Sequence, residues 1–549
     1  MRKVKTLNRY APVILAAMSA IAAVLTMYVG RGTTFTGDEM TWIVASPGID
    51  LETLLQSHGG HLQLIPRGLY KIMLETIGLE YWPYRLLTVL TVVAAAVLIY
   101  RYMIKRVEPA IALVPSAIML FFGSDPLHVI RGNGFTIVFS VACGVAALLM
   151  LDRRDLKGDV SACALLVAGA ATYTVALPFV VGAGLLLLLE RNWRRLWIPV
   201  VPLALWAIWR AWLALTHDDR SGTGIDLGNV IHIPKWTFEA LGASLSALTG
   251  LGYGFDRLSS AGPSDIFGPL LAALAIGCIV WRLLKGSLSP WIWVTLIIAL
   301  ALWSIQCLAA VPGSPDYRAP DDPRYLYPGA VVVILIGVEL CAGRTWPKWG
   351  FGLLLAVGAF GVASNISQME RYADDYRLES DAMRRTITSA AIYLDEQRGY
   401  RAPTPDQPVI ASETGSLIAA MAERPFGGVD YSASEIEELP PAAQSELDAM
   451  VGGYEQVALE PGGRPAGRCA VVKPDTAGRF IARLPAGRVV LKNGTEPATI
   501  RVGRFAETPG FDIGDLGAGR TATVETFEPV EAAPWNISSD QPGLEVCSA

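Results

Sequence analysis

Residues 160–189 read VSACALLVAGAATYTVALPFVVGAGLLLLL, thirty positions without one charged side chain. As a single α-helix this stretch would be about 45 Å long, which exceeds the hydrocarbon thickness of a bilayer. Basic clusters flank it on both sides, within residues 153–157 and 191–195. Because positively charged loops stay on the cytoplasmic side, both ends should face the cytoplasm. The stretch therefore predicts a hairpin of two short helices, broken near Tyr173 to Pro178.

The composition of the whole chain is that of a membrane protein. Of its 549 residues, 52% are hydrophobic and only 17% are charged, and the mean hydropathy is +0.39. A typical soluble domain carries about 25% charged residues. These values exclude a disordered chain, a coiled coil, a disulfide-dense secreted domain and an ordinary cytosolic enzyme.

The charge divides the chain near residue 365. Residues 1–364 hold 28 Lys/Arg and 22 Asp/Glu, a net of +6, whereas residues 365–549 hold 17 and 28, a net of −11. We therefore expect a polytopic α-helical membrane domain over 1–364 and an extracytoplasmic domain over 365–549. An acidic outer domain argues against nucleic acid as a partner.

The membrane domain is predicted to have about eleven transmembrane segments. They are 11–30, 85–100, 109–123, 135–150, 160–175, 176–189, 197–215, 266–281, 290–310, 328–341 and 349–364. Basic clusters occupy every second loop, which places the N-terminus inside and residue 365 outside the cytoplasmic membrane. The first segment also has the features of a signal peptide, but the absence of a clear small-x-small site favours a retained helix. The outer loops are then 31–84, 124–134, 216–265 and 311–327.

An acidic pair, Asp38-Glu39, follows the first segment directly. One interpretation is a solvated helix end. The other is a site, because a carboxylate can serve as a general base toward a hydroxyl or bind a divalent cation such as Mg²⁺ or Mn²⁺ through oxygen. Asp38 and Glu39, together with Asp125 of the second outer loop, are the candidate ligands for such a cation.

The first outer loop continues as Leu54-Leu55-Gln56-Ser57-His58-Gly59-Gly60-His61-Leu62 and then Pro66-Arg67. Leucines at helical spacing on both sides predict two amphipathic helices joined at the glycines, lying on the membrane face. His58, His61 and Arg67 are candidate substrate contacts. A metal site on the two histidines is the less favoured alternative, because no third ligand is visible.

Two further outer loops carry candidate residues. The second contains Asp125, His128 and Arg131, either as a polar turn or as part of a site. The fourth contains Arg324-Tyr325 at the mouth of a span. Arginine is suited to bidentate phosphate recognition, although Asp321 and Asp322 are ready salt-bridge partners for an interfacial Arg324.

These residues, in this order, resemble the GT-C class of membrane glycosyltransferases, which includes protein mannosyltransferases, lipid A aminoarabinose transferases and mycobacterial arabinosyltransferases. Asp38-Glu39 matches the acidic motif that follows the first helix in that class. The stretch His58-Gly59-Gly60-His61-Leu62 is similar to its His-containing segment, and Arg324-Tyr325-Leu326 is similar to its donor-phosphate loop. The resemblance covers residues 1–364. The chain departs from the class in having no Asp-x-Asp signature.

The resemblance implies transfer of a hexosyl or pentosyl group from a polyprenyl-phosphate donor to a glycan, lipid or protein acceptor outside the membrane. Asp38 would be the base, and Glu39 or Asp125 would orient the acceptor or hold the cation. Arg324, Tyr325 and Arg131 would contact the donor phosphate. The alternative is a transporter, or an assembly protein that displays a carbohydrate-binding domain.

The outer domain is predicted to begin with an amphipathic helix at 366–398, followed by a strand at 409–412, a short helix at 414–422 and a β-sandwich. The β-prone runs are 456–459, 469–473, 480–484, 489–492, 499–505, 521–527 and 544–547. Cys469 and Cys547 are the two cysteines of this domain, and an oxidising compartment permits a disulfide between them.

Overall fold

A computed structural model gives the fold of residues 2–548, with the following gaps. The structure does not describe residues 46–49, 217–224, 252–266, 287–288, 311–318, 345, 394–432, 442, 446–447, 450–456, 476–477, 486, 506–509 and 527–534. The chain divides into two compact units. The first comprises residues 1–32, 48–73 and 81–377, and the second comprises 33–47, 74–80 and 378–549.

Helices account for nearly all of the first unit. In chain order the helices of the described residues are α1 (Arg2–Val29), α2 (Asp38–Ala45), α3 (Leu51–Leu55), α4 (Leu64–Thr76), α5 (Tyr81–Met103), α6 (Pro109–Leu120), α7 (Pro126–Ile130), α8 (Phe135–Leu151), α9 (Leu156–Ala170), α10 (Leu177–Leu189), α11 (Trp197–Thr216), α12 (Ile233–Thr249), α13 (Phe267–Leu284), α14 (Pro290–Ala309), α15 (Pro323–Cys341), α16 (Lys348–Tyr393) and α17 (Ala433–Glu437).

The fold class expected from the sequence is confirmed: the chain is a multi-pass helical membrane protein with a β-rich domain. Each of the eleven predicted segments overlaps a helix, namely α1, α5, α6, α8–α11 and α13–α16. Eight stretches of the described residues are long and apolar enough to cross a bilayer, and α6 and α10 are shorter apolar helices. The figure of eleven spans stays a prediction.

The apolar stretch at 160–189 is broken where the sequence predicted a break. Helix α9 ends at Ala170, a 3₁₀ turn covers Thr174–Ala176, and α10 begins at Leu177. Ser140 Oγ of α8 is within hydrogen-bond distance of two carbonyl oxygens at the break, those of Gly169 at 3.1 Å and Tyr173 at 2.9 Å. Pro178 in the first turn of α10 fits a helix start, where its missing N–H costs no bond.

Polar contacts between helices gather at the two ends of the bundle, in agreement with the predicted alternation of loops. Contacts among predicted cytoplasmic loops are Asn8–Glu108, Lys105–Asp152, Arg106–Glu339, Arg154–Glu190 and Arg195–Asp159. Contacts among predicted outer segments are His61–Thr174, Tyr81–Gly132, Arg85–Ile130 and Asn229–Ala310. We call the second set the outer end of the bundle; its extracellular position rests on the positive-inside rule.

The predicted outer loop 216–265 is not simply a loop, because it contains the 17-residue helix α12. The neighbours of α12 change along its length: Asn229, just before it, bonds Ala310 after α14, Gly242 packs on Gly268 of α13, and Ala247 accepts a bond from Asn365 of α16. Helix α12 therefore lies across several helices at the outer end. Small residues at these close approaches allow the backbones to meet.

The predicted bounds of two further loops need correction. Loop 124–134 is folded into α7 and a 3₁₀ turn at Gly132–Gly134, and much of it is buried. Helix α15 begins at Pro323, so Arg324 and Tyr325 belong to its first turn and not to a loop. In the first loop, α3 and α4 flank the glycines as predicted, with a two-stranded hairpin of β1 (Ser57–His58) and β2 (His61–Leu62) between them.

The second unit contains the predicted β-sandwich. Its strands are β3 (Glu460–Pro461), β4 (Cys469–Val471), β5 (Phe480–Arg483), β6 (Gly487–Lys492), β7 (Ala498–Gly503), β8 (Phe511–Leu516), β9 (Thr521–Thr526), β10 (Asn536–Ser539) and β11 (Glu545–Ser548). The two antiparallel sheets have the orders β5-β10-β7-β8 and β3-β9-β6-β11-β4. Side chains of both sheets, such as Leu491 and Ile500, share one core. Strands β8 and β10 were not predicted, and β3 begins one residue after the predicted run 456–459, whose described residues 457–459 form no strand.

Cys469 and Cys547 form the expected disulfide, across the directly opposed positions of β4 and β11, with their Cα atoms 4.0 Å apart. Helix α16 runs without a break from Lys348 to Tyr393, so the last predicted span and the predicted helix at 366–398 are one helix. Residues 394–398, the predicted strand 409–412 and the predicted helix 414–422 lie outside the described residues.

Candidate active site

The two carboxylates of the acidic pair have different environments in the second unit. Asp38 is exposed in the first turn of α2, whereas Glu39 is fully buried. The backbone N–H of Thr36 donates to Glu39 Oε2 at 3.3 Å, and the N–H of Glu39 donates to the Thr36 carbonyl at 3.3 Å. These two bonds close the turn that leads into α2, where Gly37 has a φ of +56°. Glu39 is therefore engaged in structure, and Asp38 is the accessible carboxylate.

The two histidines of the first loop oppose each other across the β1–β2 hairpin, and Gly59 and Gly60 form its turn with φ of +54° and +80°. His61 Nδ1 lies 2.8 Å from Thr174 Oγ1, and its ring packs 3.9 Å from that of Tyr173. His61 thus secures the loop to the break between α9 and α10. This contact fits the packing alternative better than a metal site; the substrate role of His58 stays a prediction.

Arg67 is buried in the first turn of α4, and its Nη1 donates to the carbonyls of Thr53 at 2.6 Å and Gln56 at 3.4 Å. These carbonyls end the short helix α3, so the guanidinium caps that helix. Burial lowers the pKa of Arg67 from its usual value. The position favours a structural role over the predicted contact with substrate.

Asp125 and His128 form a hydrogen-bonded pair at α7. The Asp125 carboxylate is fully buried, and His128 Nδ1 lies 2.8 Å from its Oδ1. Because an ionised carboxylate only accepts hydrogen bonds, Nδ1 carries the proton in this pair. The other ring nitrogen, Nε2, is then the basic one, as in the histidines that carboxylates orient in enzymes and metal sites.

Arg131 lies among aromatic rings at the outer end of the bundle. Its Nε donates to Tyr372 Oη at 2.6 Å, and its guanidinium stands 4.6 Å from the ring centre of Tyr376. Tyr376 Oη is 2.6 Å from Tyr81 Oη, which accepts a bond from the N–H of Gly132 at 2.8 Å. A half-buried cation in this setting is held in one orientation, because hydrogen bonding and cation–π attraction act together.

Arg324 stands in the first turn of α15 with a third of its side chain exposed, and its Nε is 3.3 Å from Asp322 Oδ1. Asp322 caps the helix by accepting from the N–H of Arg324 at 3.0 Å. The pKa of Asp321 is raised, chiefly by burial and further by the charges of Asp322 and Glu239. Tyr325 is half-buried, and its N–H donates to the Asp322 carbonyl. Arg324 thus has both features predicted from the sequence, a salt bridge to a neighbouring aspartate and a position at the start of a helix.

Asp125, His128, Arg131, Arg324 and Tyr325 all belong to the outer end of the first unit, whereas Asp38 and Glu39 belong to the second unit. The set of three or more potential metal ligands found among the described residues is Cys469, Glu545 and Cys547, and both of its thiols are consumed by the disulfide. A divalent cation on Asp38, Glu39 or Asp125 stays a prediction.

Sequence reasoning missed Arg85, which it placed inside a span. Arg85 is buried and donates to the carbonyls of Thr26, Met27 and Ile130 at 2.8 to 3.2 Å. It also missed Asn229, just before α12, whose buried amide donates to the carbonyl of Cys307 at 3.2 Å.

No protein-family model matches the chain, and no curated protein sequence matches it. Among solved structures, the chain is similar to the crystal structure of ArnT from Cupriavidus metallidurans bound to undecaprenyl phosphate. The two chains are 14% identical, with 93% of this chain and 97% of that chain covered and a TM-score of 0.45. ArnT is an aminoarabinose transferase of the GT-C class, which the sequence resembles. At this level of similarity, function has to be argued from the chain's own residues.

Proposed function

We propose that the protein is a cytoplasmic-membrane glycosyltransferase that moves a sugar from a polyprenyl-phosphate donor to an acceptor outside the membrane. The observation that carries the proposal is the exposed carboxylate of Asp38 at the start of α2, which follows the first span, whereas Glu39 beside it is buried and bonded to the N–H of Thr36. A general base has to reach the proton of an incoming hydroxyl, and of the two acids only Asp38 has that access.

In this mechanism the acceptor hydroxyl attacks the anomeric carbon of the donor sugar, and Asp38 takes the proton of that hydroxyl. The bond between the anomeric carbon and the phosphate oxygen breaks, so negative charge grows on the leaving phosphate. Arginine stabilises such charge best when it is already held in place. Arg131, oriented by Tyr372 and Tyr376, and Arg324, oriented by Asp322, are the proposed phosphate ligands.

The proposal also includes a divalent cation. It leaves the identity of the sugar open. Asp38 is the proposed oxygen ligand for a cation, since Glu39 is buried and bonded to the N–H of Thr36, and Asp125 is buried and paired with His128. Loss of activity in a metal chelator, with recovery on adding Mg²⁺ or Mn²⁺, would support that part. Hexosyl and pentosyl donors are equally compatible with the residues described.

The test replaces Asp38 by asparagine and measures transfer from purified polyprenyl-phosphate sugars. We expect transfer by Asp38→Asn to fall by roughly 10²-fold or more, because asparagine keeps the shape but cannot take a proton. The matched control is Asp50→Asn, an exposed N-cap of α3 in the same loop, where asparagine caps as well as aspartate. The control should transfer at the wild-type rate.

Arg324→Ala should weaken donor binding, and Arg324→Lys should restore only part of it, because lysine lacks the planar fork. A transporter needs no proton acceptor at position 38, so the first variant separates the two classes of protein. Transfer by Asp38→Asn at the wild-type rate would rule out the mechanism.

A further inference from the structure

The end of α13 and the connection between α15 and α16 carry basic side chains and no acidic ones. Both lie on the side of the bundle that is predicted to be cytoplasmic, and the sequence has no Asp or Glu within residues 266–315 or 340–369. The basic residues are Arg282, Lys285, Arg344 and Lys348. None of these four forms an ion pair within the part of the chain that the structure describes.

Two of these cations come from different helix ends and meet at one indole. Lys285 Nζ lies 4.5 Å from the ring centre of Trp281, and the guanidinium carbon of Arg344 lies 4.9 Å from it. The two charges are therefore within about 10 Å of each other, the distance over which 0.1 M salt screens exposed charges. Arg282 donates from Nε to the carbonyl of Leu340 at 3.3 Å, which places a third cation between the ends of α13 and α15.

The protein's own negative groups do not balance this charge. The C-terminal ends of α13 and α15 supply roughly half a negative charge each, whereas the start of α16 at Lys348 has the opposite sign. Glu339, near the end of α15, is buried and already paired with Arg106 and Tyr102. An excess of roughly three positive charges remains, so the surface favours an anionic ligand.

The neighbouring surface of α13 is apolar and open, which favours a lipid over a free anion. This helix is long and apolar enough to cross a bilayer, and most of its side chains are exposed. Leu274 and Leu284 are among them, and Trp281 is 47% exposed. Tryptophan and basic side chains at the ends of spans lie at the level of the lipid headgroups. A lipid bound there would place its phosphate at the cations and its acyl chains along α13.

We propose that Arg282, Lys285 and Arg344 bind the headgroup phosphate of an anionic phospholipid such as phosphatidylglycerol. The two guanidinium groups offer planar pairs of donors to the phosphate oxygens, and the ammonium group adds a point charge. Cation–π attraction to Trp281 holds Lys285 and Arg344 near the site before the lipid arrives, which reduces the cost of ordering them. This binding site does not depend on the proposed transferase activity.

The test is native mass spectrometry of the full-length, delipidated protein in detergent. The probes are dioleoyl-phosphatidylglycerol and dioleoyl-phosphatidylcholine, which have the same acyl chains but an anionic and a zwitterionic headgroup. We expect the first phosphatidylglycerol to bind at least about tenfold more tightly, because each nearby Lys or Arg strengthens the attraction roughly fivefold. Lys285→Gln/Arg344→Gln should abolish most of this preference. Trp281→Leu, which keeps every charge, should lower it about threefold.

The matched control is Lys105→Gln/Arg154→Gln, which removes two positive charges from the same predicted side of the membrane. Both residues are already paired, with Asp152 and Glu190. The control should bind phosphatidylglycerol as the wild type does. Equal affinity of the wild type for the two lipids, or equal losses in the two double variants, would overturn the inference. Displacement of the bound phosphatidylglycerol by an equimolar amount of inorganic phosphate, but not of chloride, would also overturn it, because the site would then be one for the free ion.

Discussion

The buried ion pair between Arg195 and Asp159 allows a quantitative test of the end of the bundle that the positive-inside rule predicts to be cytoplasmic. Three of the four hydrogen bonds that the guanidinium makes go to the Asp159 carboxylate, at 2.6 to 3.1 Å, and the fourth goes to the carbonyl of Leu151. Each side chain is only 11% exposed. Arg195→Met would therefore leave a buried carboxylate without its partner, which typically costs about 3–5 kcal/mol.

The double variant Arg195→Met/Asp159→Leu removes both charges. Replacing a whole buried pair by apolar side chains is often neutral or stabilising, so this variant should recover most of the stability lost in the single one. The matched exposed pair is Arg153–Asp155, whose side chains are 49% and 47% exposed. Arg153→Met should change the stability far less than Arg195→Met does, because water screens the exposed pair.

The assay is thermal unfolding of each purified variant in one detergent, followed by intrinsic fluorescence. The expected order of midpoints is Arg195→Met well below the wild type, with the double variant and Arg153→Met close to it. Equal midpoints for Arg195→Met and Arg153→Met would refute the reasoning, as would a double variant less stable than the single one.

Two further predictions concern other parts of the chain. The raised pKa of Asp321 means that the folded protein holds its proton more tightly than the unfolded chain does, so ionisation above that pKa destabilises the fold. Asp321→Asn should raise the melting temperature at neutral pH, and the gain should vanish as the pH falls below the ordinary value of 3.8; a gain that grows in acid would contradict this. Replacing Cys469 and Cys547 together by alanine should destabilise the sandwich by about 4.5 kcal/mol, since the disulfide closes a 78-residue separation. Urea-dependent proteolysis of the full chain measures that loss, and seven titratable thiols in the denatured, non-reduced wild type, in place of the five that the disulfide leaves, would contradict the premise.

The sequence predicted the features that depend on composition and local pattern. Apolar length and flanking charge were sufficient to locate the break at Tyr173, because a bilayer limits how long one span can be. The disulfide could be predicted because Cys469 and Cys547 are the two cysteines of the polar half. The alternation of inner and outer loops, which rests on the positions of the basic residues, stays a prediction.

Features that depend on tertiary contacts could not be predicted from the sequence. Arg67 resembles a substrate ligand until the carbonyls of Thr53 and Gln56 are found at its guanidinium. Helix α12 was taken for loop because its apolar face is too narrow for a span, and it packs across helix ends that are distant in sequence. An exposed carboxylate such as Asp38 takes part in a reaction only when a substrate binds beside it, and the sequence pattern does not specify that substrate.

The order of strands in the sandwich constrains how the domain can be made. The edge strands β4 and β5 are held in their sheets through β11 and β10, the two strands of the sandwich that are synthesised last. During synthesis the earlier strands therefore have unpaired backbone edges until β10 and β11 are made. Cys469 likewise has no partner thiol until Cys547, 78 residues later, is made. Unpaired edges of this kind invite strand exchange between neighbouring chains. With the sandwich outside the membrane, as the positive-inside rule predicts, secretion chaperones and thiol oxidants should act on this protein during translocation, and a pause before β10 should be the stage at which misassembly is most frequent.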